Sequence, residues 1–197
     1  MRSTIPRLLD PSYARCCVEF RHGNVTLDPA SPYTKLSVPV PLTASHDLAD
    51  FDCGEAALND WLTQRALKNE SRFSRTYVVC DGSKVVAYFC IAAGAVGRMS
   101  APGKVRRNAP DTIPVSVIGR LAVSRAYAGR GLGADILSDA LRRIAVASQS
   151  IGIGAVLVQA KDDDAKRFYM ACAEFNEYPA ESRTLFLPIE TVIAAFG

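Results

Sequence analysis

Between residues 115 and 145 a β-rich run gives way to a helical pattern through a cluster of glycines, and this junction limits the fold more than any other feature. Val115-Ser116-Val117-Ile118 and Leu121-Ala122-Val123 carry strand-forming side chains, interrupted by Gly119 and Arg120. A glycine inside a strand marks a bulge or a close backbone approach. Leu132, Ile136, Leu137, Ala140, Leu141, Ile144 and Ala145 then recur at the spacing of an amphipathic helix. Ala128-Gly129-Arg130-Gly131-Leu132-Gly133 joins the two. Small residues there let backbone N–H groups converge on one anion, and the helix start adds unpaired donors and the positive end of its dipole. The loop is a candidate pyrophosphate cradle, although glycines before a helix also serve as a plain tight turn. No Gly-Lys-Ser/Thr follows, which excludes a P-loop. The glycines fall in the middle of a mixed-sheet pattern and no acidic residue ends the next strand, which disfavours a Rossmann nucleotide site.

The rest of the chain supplies the other layers. Leu36, Val38 and Val40 alternate as in a strand, and Pro39 and Pro41 confine it to a sheet edge. Asp52 with Glu55 three residues later reads as a capping box opening a helix that runs through about Lys68. Residues 76–80 and 85–91 are strands joined by a hairpin turn at Asp81-Gly82-Ser83-Lys84. A Gly/Pro/Arg-rich stretch follows from Ala95 through Pro114. Residues 155–160 read as a buried strand, Asp162 or Asp163 as the cap of a helix bearing Ala165, Phe168, Tyr169 and Cys172, and residues 184–187 as a last strand. The order β-α-β-β-β-α-β-α-β describes an α/β (α+β) domain, a mixed sheet with helices on both faces. That domain covers residues 36–197, with residues 1–35 as a poorly defined N-terminal extension.

Composition narrows the class further. With 49% hydrophobic and 22% charged residues, a disordered or low-complexity chain is excluded. No apolar stretch approaches the roughly 18–20 residues that span a bilayer and no signal-like segment opens the chain, so a cytoplasmic protein without a membrane partner is expected. Cys16, Cys17, Cys53, Cys80, Cys90 and Cys172 are scattered and read as free thiols, and with only His22 and His46 and no CxxC pair, no metal site is expected. The charge is uneven. Arg98, Lys104, Arg106, Arg107, Arg120, Arg125 and Arg130 stand against a single Asp111, giving this segment +6 in a chain whose total is +3. Such a stretch is either a solvated basic loop or a polyanion contact.

The glycine loop resembles the phosphate motif of the GNAT superfamily of acetyl-CoA-dependent N-acetyltransferases, Gln/Arg-x-x-Gly-x-Gly/Ala. Both glycine positions match at Gly131 and Gly133, while Ala128 departs from Gln/Arg and leaves a cradle made of backbone. Asp163-Asp164-Ala165-Lys166-Arg167-Phe168-Tyr169 is similar to the family's late helix, with Met170-Ala171-Cys172-Ala173-Glu174-Phe175 departing from its usual continuation. The motif around Phe51-Asp52-Cys53-Gly54-Glu55, with Ser74-Arg75-Thr76-Tyr77 and Ile118-Gly119-Arg120-Leu121-Ala122-Val123, resembles the TacT/AtaT branch of GNAT toxins. The resemblance extends over roughly residues 42–190.

It implies a single GNAT domain whose sheet splays at a bulge. It also implies acetyl-CoA as cosubstrate, held by the main chain of Leu121, Ala122 and Val123 and by the loop Ala128, Gly129, Arg130, Gly131, Leu132 and Gly133. Tyr169 would protonate the departing thiolate, and backbone N–H near Ala122 would stabilise the oxyanion. The acceptor implied is the α-amine of an aminoacyl-tRNA, whose acetylation blocks translation. Arg98, Lys104, Arg106 and Arg107 are the expected tRNA phosphate contacts, and Arg75 is a secondary candidate. A ribbon-helix-helix antitoxin and a homodimer also follow from the resemblance. An α-amine, with a pKa near 7.7–8 against about 10.4 for lysine, needs no strong enzymic base at pH 7. The rival expectations are a GNAT enzyme acting on a small amine or a protein lysine, and a non-catalytic domain that binds CoA or a partner.

Overall fold

The computed structural model describes residues 36–196; the extension expected over residues 1–35, with Cys16 and Cys17, lies outside them. The chain enters through a two-residue strand β1 (Val40–Pro41). Helix α1 (Ala56–Trp61) continues through a π-helical stretch (Leu62–Ala66) to a closing turn (Leu67–Asn69). Then come β2 (Arg75–Asp81), β3 (Lys84–Gly97), a short α2 (Gly103–Arg106) and β4 (Thr112–Val123). The last part holds α3 (Leu132–Ser148), β5 (Ala155–Gln159), α4 (Asp163–Cys172), β6 (Asn176–Glu177), β7 (Thr184–Pro188) and α5 (Ile189–Phe196).

The strands form one mixed sheet in the order β1-β2-β3-β4-β5-β7-β6. Only β4 and β5 run parallel, as they must when a crossover helix, α3, joins them. Every other pairing is antiparallel. The prolines leave β1 two residues long at the sheet edge, as the sequence implied. Successive side chains of β3 and β4 point to opposite faces of the sheet, so the two faces bury different sets. One face packs Phe89, Ile118, Val156 and Val158 beneath Ile136, Leu137 and Ile144 of α3 and Val192 of α5. The other packs Val78, Tyr88, Cys90 and Ala122 beneath Trp61, Leu62 and Ala66 of the first helix. Among the described residues no helix is long and apolar enough to cross a membrane, and Cys53, Cys80, Cys90 and Cys172 are free thiols.

Several local expectations change. Asp52 is not a helix cap: Glu55 holds that position without a side-chain cap bond, because the Asp52 carboxylate accepts from Gly54 N–H (2.8 Å) and Asn59 Nδ2 (3.0 Å). Strands β3 and β4 run well into the Gly/Pro/Arg-rich stretch, pairing as far as Gly97 and Thr112. Pro114 is accommodated because its carbonyl faces the β5 side, accepting from Gly154 N–H (2.8 Å), so the missing N–H costs the β3 ladder nothing. Helix α5 and strand β6 are additional elements, the helix exposing its pattern in Ile189 and Val192, both buried.

Candidate active site

The centre of the molecule is a fork in the sheet. Strand β4 pairs with β5 from Val115 to Ile118, opposite Ala155 to Val158. The register between β3 and β4 then shifts, with Ile91 opposite Ile118 and Cys90 opposite Arg120, so Gly119 is left without a β3 partner. This is the bulge its glycine implied. A side chain there would be tight, since a Cβ would lie 3.2 Å from Cys90 Sγ. A bulge bends its strand and increases its twist; beyond it β4 continues through Leu121, Ala122 and Val123 along β3 and has no β5 partner. The β5-facing edge of these three residues lines the gap.

The glycine loop lies just past the open end of the fork. Gly129 and Gly131 both have left-handed backbones (φ 73° and 88°), and a Cβ on either would meet nothing within 4 Å. Glycine is thus required by conformation and not by space. Gly131 is the N-cap of the 17-residue α3 and has no side-chain cap bond, so the first N–H groups of a long helix stay available where an anion would lie. Gly133 has a packing role: a Cβ there would sit 3.4 Å from the Phe168 ring. Leu132 is buried and pins the loop to the core. Ala128 is exposed and ends a short turn, its N–H reaching Arg125 O (3.3 Å). Arg130 lies 6.0 Å over the Tyr127 ring, whose hydroxyl donates to Asp81 (2.8 Å).

Tyr169 comes to this region on α4. Asp162 is the cap of that helix, its carboxylate accepting from Ala165 N–H (2.7 Å). Tyr169 is buried, with Phe168 and Phe175 edge-on to its ring at 5.3 Å and 5.8 Å. Burial pushes its phenol above the usual value, and the Cys90 and Cys172 thiols act in the same direction. The group therefore holds its proton at neutral pH, as a proton donor must.

The other end of β4 carries the basic residues. The connection from β3 to β4 is a built projection: Arg98 N–H donates to Asp111 O (2.8 Å), Ala101 and Val105 are buried against Ile113, Val115 and Phe186, and Tyr178 Oη donates to Met99 O (3.2 Å). Arg98, Arg106 and Arg107 line an open cavity of about 860 Å³ with Asn108 and Asp111, and Lys104 is exposed on α2 beside it. Six residues of β3 separate Gly97 from the bulge, about 20 Å at ~3.3 Å per residue. Arg75 lies apart from this group at the start of β2, its guanidinium donating to the carbonyls of Glu70 and Ser74 and closing the loop after the first helix.

One feature has no sequence signal. Residues 52–55 are tied to both arms of the fork. Arg125, just after β4, donates its N–H to Asp52 O (2.8 Å) and sets its guanidinium 3.6 Å from the Asp52 carboxylate. Lys161, just after β5, holds Glu55 at 2.8 Å and Asp162 at 2.5 Å. Among the described residues no group of three or more His, Cys, Asp or Glu side chains could hold a metal ion.

A fork opening onto left-handed glycines and the start of a long helix, with a buried phenol nearby, defines a class. The profile of the acetyltransferase (GNAT) family matches residues 42–175, and the chain belongs to that family. It is 40% identical over 162 residues to a tRNA-acetylating toxin of Mycobacterium tuberculosis, covering 82% of this chain and 97% of that protein. Among solved structures it is similar to AtaT complexed with acetyl-methionyl-tRNAfMet (29% identity, TM-score 0.75, 82% of this chain and 99% of that one). It is also similar to a mutant AtaT toxin bound to the C-terminus of the antitoxin AtaR and acetyl-CoA (28% identity, TM-score 0.71, 82% and 98%).

Proposed function

We propose that this protein transfers the acetyl group of acetyl-CoA to the α-amine of an aminoacyl-tRNA, and so blocks translation as the toxin of a type II toxin–antitoxin pair. The observation that carries this is the fork after Ile118, with a backbone anion cradle beyond its open end and a basic projection at the other end of the same strand. The first suits the pyrophosphate of acetyl-CoA and the second the phosphates of a tRNA acceptor end. The tRNA-acetylating relative and the AtaT complexes with an acetylated aminoacyl-tRNA and with acetyl-CoA support the same reading.

Gly129, Arg130, Gly131, Leu132 and Gly133, with Ala128, hold the phosphates, and Leu121, Ala122 and Val123 offer main-chain groups to the pantetheine arm. The acceptor amine attacks the thioester carbonyl carbon; a C–N bond forms, the C–S bond breaks, and Tyr169 gives its proton to the departing sulfur while the nitrogen loses one to solvent. Arg98, Lys104, Arg106 and Arg107 hold tRNA phosphates, with Arg75 a peripheral contact. Residues 36–197 form the catalytic domain and residues 1–35 an extension to it. We further propose a homodimer, a cytoplasmic location and neutralisation by a ribbon-helix-helix antitoxin; the AtaT structure with its antitoxin's C-terminus supports an antitoxin partner.

The test is incubation with labelled acetyl-CoA and a total charged-tRNA pool, Tyr169→Phe serving as control. Label on particular aminoacyl ends, absent with the control, is expected. Unlabelled tRNA with acetyl-CoA still bound overturns the reading and turns attention to small amines and protein lysines.

A further inference from the structure

Arg120 is a cation at the fork that this scheme does not use. It follows the bulged Gly119 and pairs with Cys90, which turns its side chain to the face bearing the first helix and not to the face bearing α3. Its guanidinium carbon lies 4.3 Å over the Trp61 ring. Trp61 is buried and stacks on buried Tyr88 at 5.8 Å, and Tyr88 in turn donates to Leu58 O (2.9 Å). The guanidinium thus rests on two fixed rings and loses little freedom when it meets a ligand.

Arg125, Arg142, Arg143, Arg167 and Arg183 each have a carboxylate partner. Arg120, although half-buried, has none among the described residues. Its guanidinium neighbours the Cys90 thiol, and most of its five donors are unspent among the described residues. Charges withdrawn from water without a partner are costly, and this one stands beside exposed Gly119, where β4 leaves β5.

On the aminoacyl-tRNA reading proposed above, the geometry points to Arg120 as the residue that donates to the carbonyl oxygen of an α-aminoacyl ester. The acceptor is then recognised as an amine with a carbonyl one carbon away. A lysine ammonium offers no such oxygen and meets a like charge instead. Arg120 is accordingly a specificity residue, separate from the phosphate contacts of the basic projection.

The test compares Arg120→Gln with the wild type on one tRNA in two forms, aminoacylated and uncharged, by filter binding at fixed salt. The wild type should bind the aminoacylated form more tightly. Arg120→Gln should lose that preference, keep its affinity for uncharged tRNA and acetyl-CoA, and lose about 10- to 100-fold in kcat/KM on aminoacyl-tRNA, the worth of a hydrogen bond from a charged donor. Arg120→Lys, which keeps a cation over Trp61, should recover part of the preference and serves in place of Arg120→Gln if that variant fails to fold. Equal loss on charged and uncharged tRNA would make Arg120 a phosphate contact and overturn the proposal. So would an unchanged kcat/KM, a loss of acetyl-CoA affinity, or a wild type without the preference. A wild type that acetylates no aminoacyl-tRNA refutes the functional reading itself, before any variant is compared.

Discussion

The glycine loop and the basic projection lie beyond opposite ends of β4 and suit anions by different physics. The loop is backbone: Gly129 and Gly131 are left-handed, a long helix starts uncapped, and the donors are fixed before a ligand arrives. The projection is side chain: Arg98, Arg106 and Arg107 line an open cavity and would attract phosphates through charge that salt screens. A conformational site fits one group in one pose. A charge site holds a long polyanion approximately, and the chemistry between them has to supply the precision.

That division predicts that the largest effect comes from neither region. Tyr169→Phe removes only a hydroxyl, yet turnover should fall by about 10² to 10⁴, the usual range for a lost general acid, while both substrates bind as before. Steady-state kinetics and calorimetry with acetyl-CoA would check this; near-normal turnover would remove Tyr169 from the role. Next comes Arg106→Glu with Arg107→Glu. Affinity for aminoacyl-tRNA should drop by at least about 10-fold and the slope of log K against log salt should shrink by roughly 2, with acetyl-CoA affinity unmoved. An unchanged salt slope would clear the projection of phosphate binding.

Gly131→Ala sharpens the contrast from the other side. A Cβ there meets nothing within 4 Å, so the penalty comes from holding alanine at φ 88°, about 1–2 kcal/mol for a left-handed L-residue. If the loop relaxes to escape that strain, acetyl-CoA binding should weaken by roughly 10-fold while tRNA affinity and its salt slope stay put. Calorimetry that found no change would show that the cradle does not depend on that backbone.

The same division explains what could be read from the sequence. Gly119, Gly129 and Gly131 announce backbone events, and the bulge and both left-handed turns fall on them. Residues 155–158 are a continuous apolar run and residues 115–118 are broken only by the buried Ser116, as suits a parallel pair covered on both faces. Charge counting found the projection but not its shape, which depends on Ala101 and Val105 packing on Ile113 and Phe186. Ala92, Ala93 and Gly94 have little strand propensity, and β3 extends across them only because β4 pairs with it there. Asp52 and Glu55 matched a capping box, and the pattern failed because Gly54 and Asn59 compete for the Asp52 carboxylate. The stacking of Arg120 on Trp61 and the bond from Lys161 to Glu55 join residues far apart in the chain, and no local spacing encodes them.

The smallest predicted effect concerns the tie across the fork. Glu55 and Lys161 are each about half exposed (48% and 48%), so their pair is screened and contributes modestly. The Asp162 and Glu55 carboxylates push the Lys161 ammonium above its usual range, so it stays charged throughout the neutral range. Asp162 also keeps Lys161 partly engaged after Glu55 is neutralised. Glu55→Gln should therefore loosen only one end of residues 52–55, because Asp52 remains bonded to Arg125. If those residues restrain what lies in the fork, acetyl-CoA should dissociate about two- to fivefold faster from Glu55→Gln at low salt, with an unchanged rate of acetyl transfer in a single turnover. Raising the salt should bring the wild type toward the variant, since screening weakens the same pair. Equal dissociation rates at low salt would reduce the tie to a surface ion pair, leaving the cradle and the walls of the fork to hold acetyl-CoA.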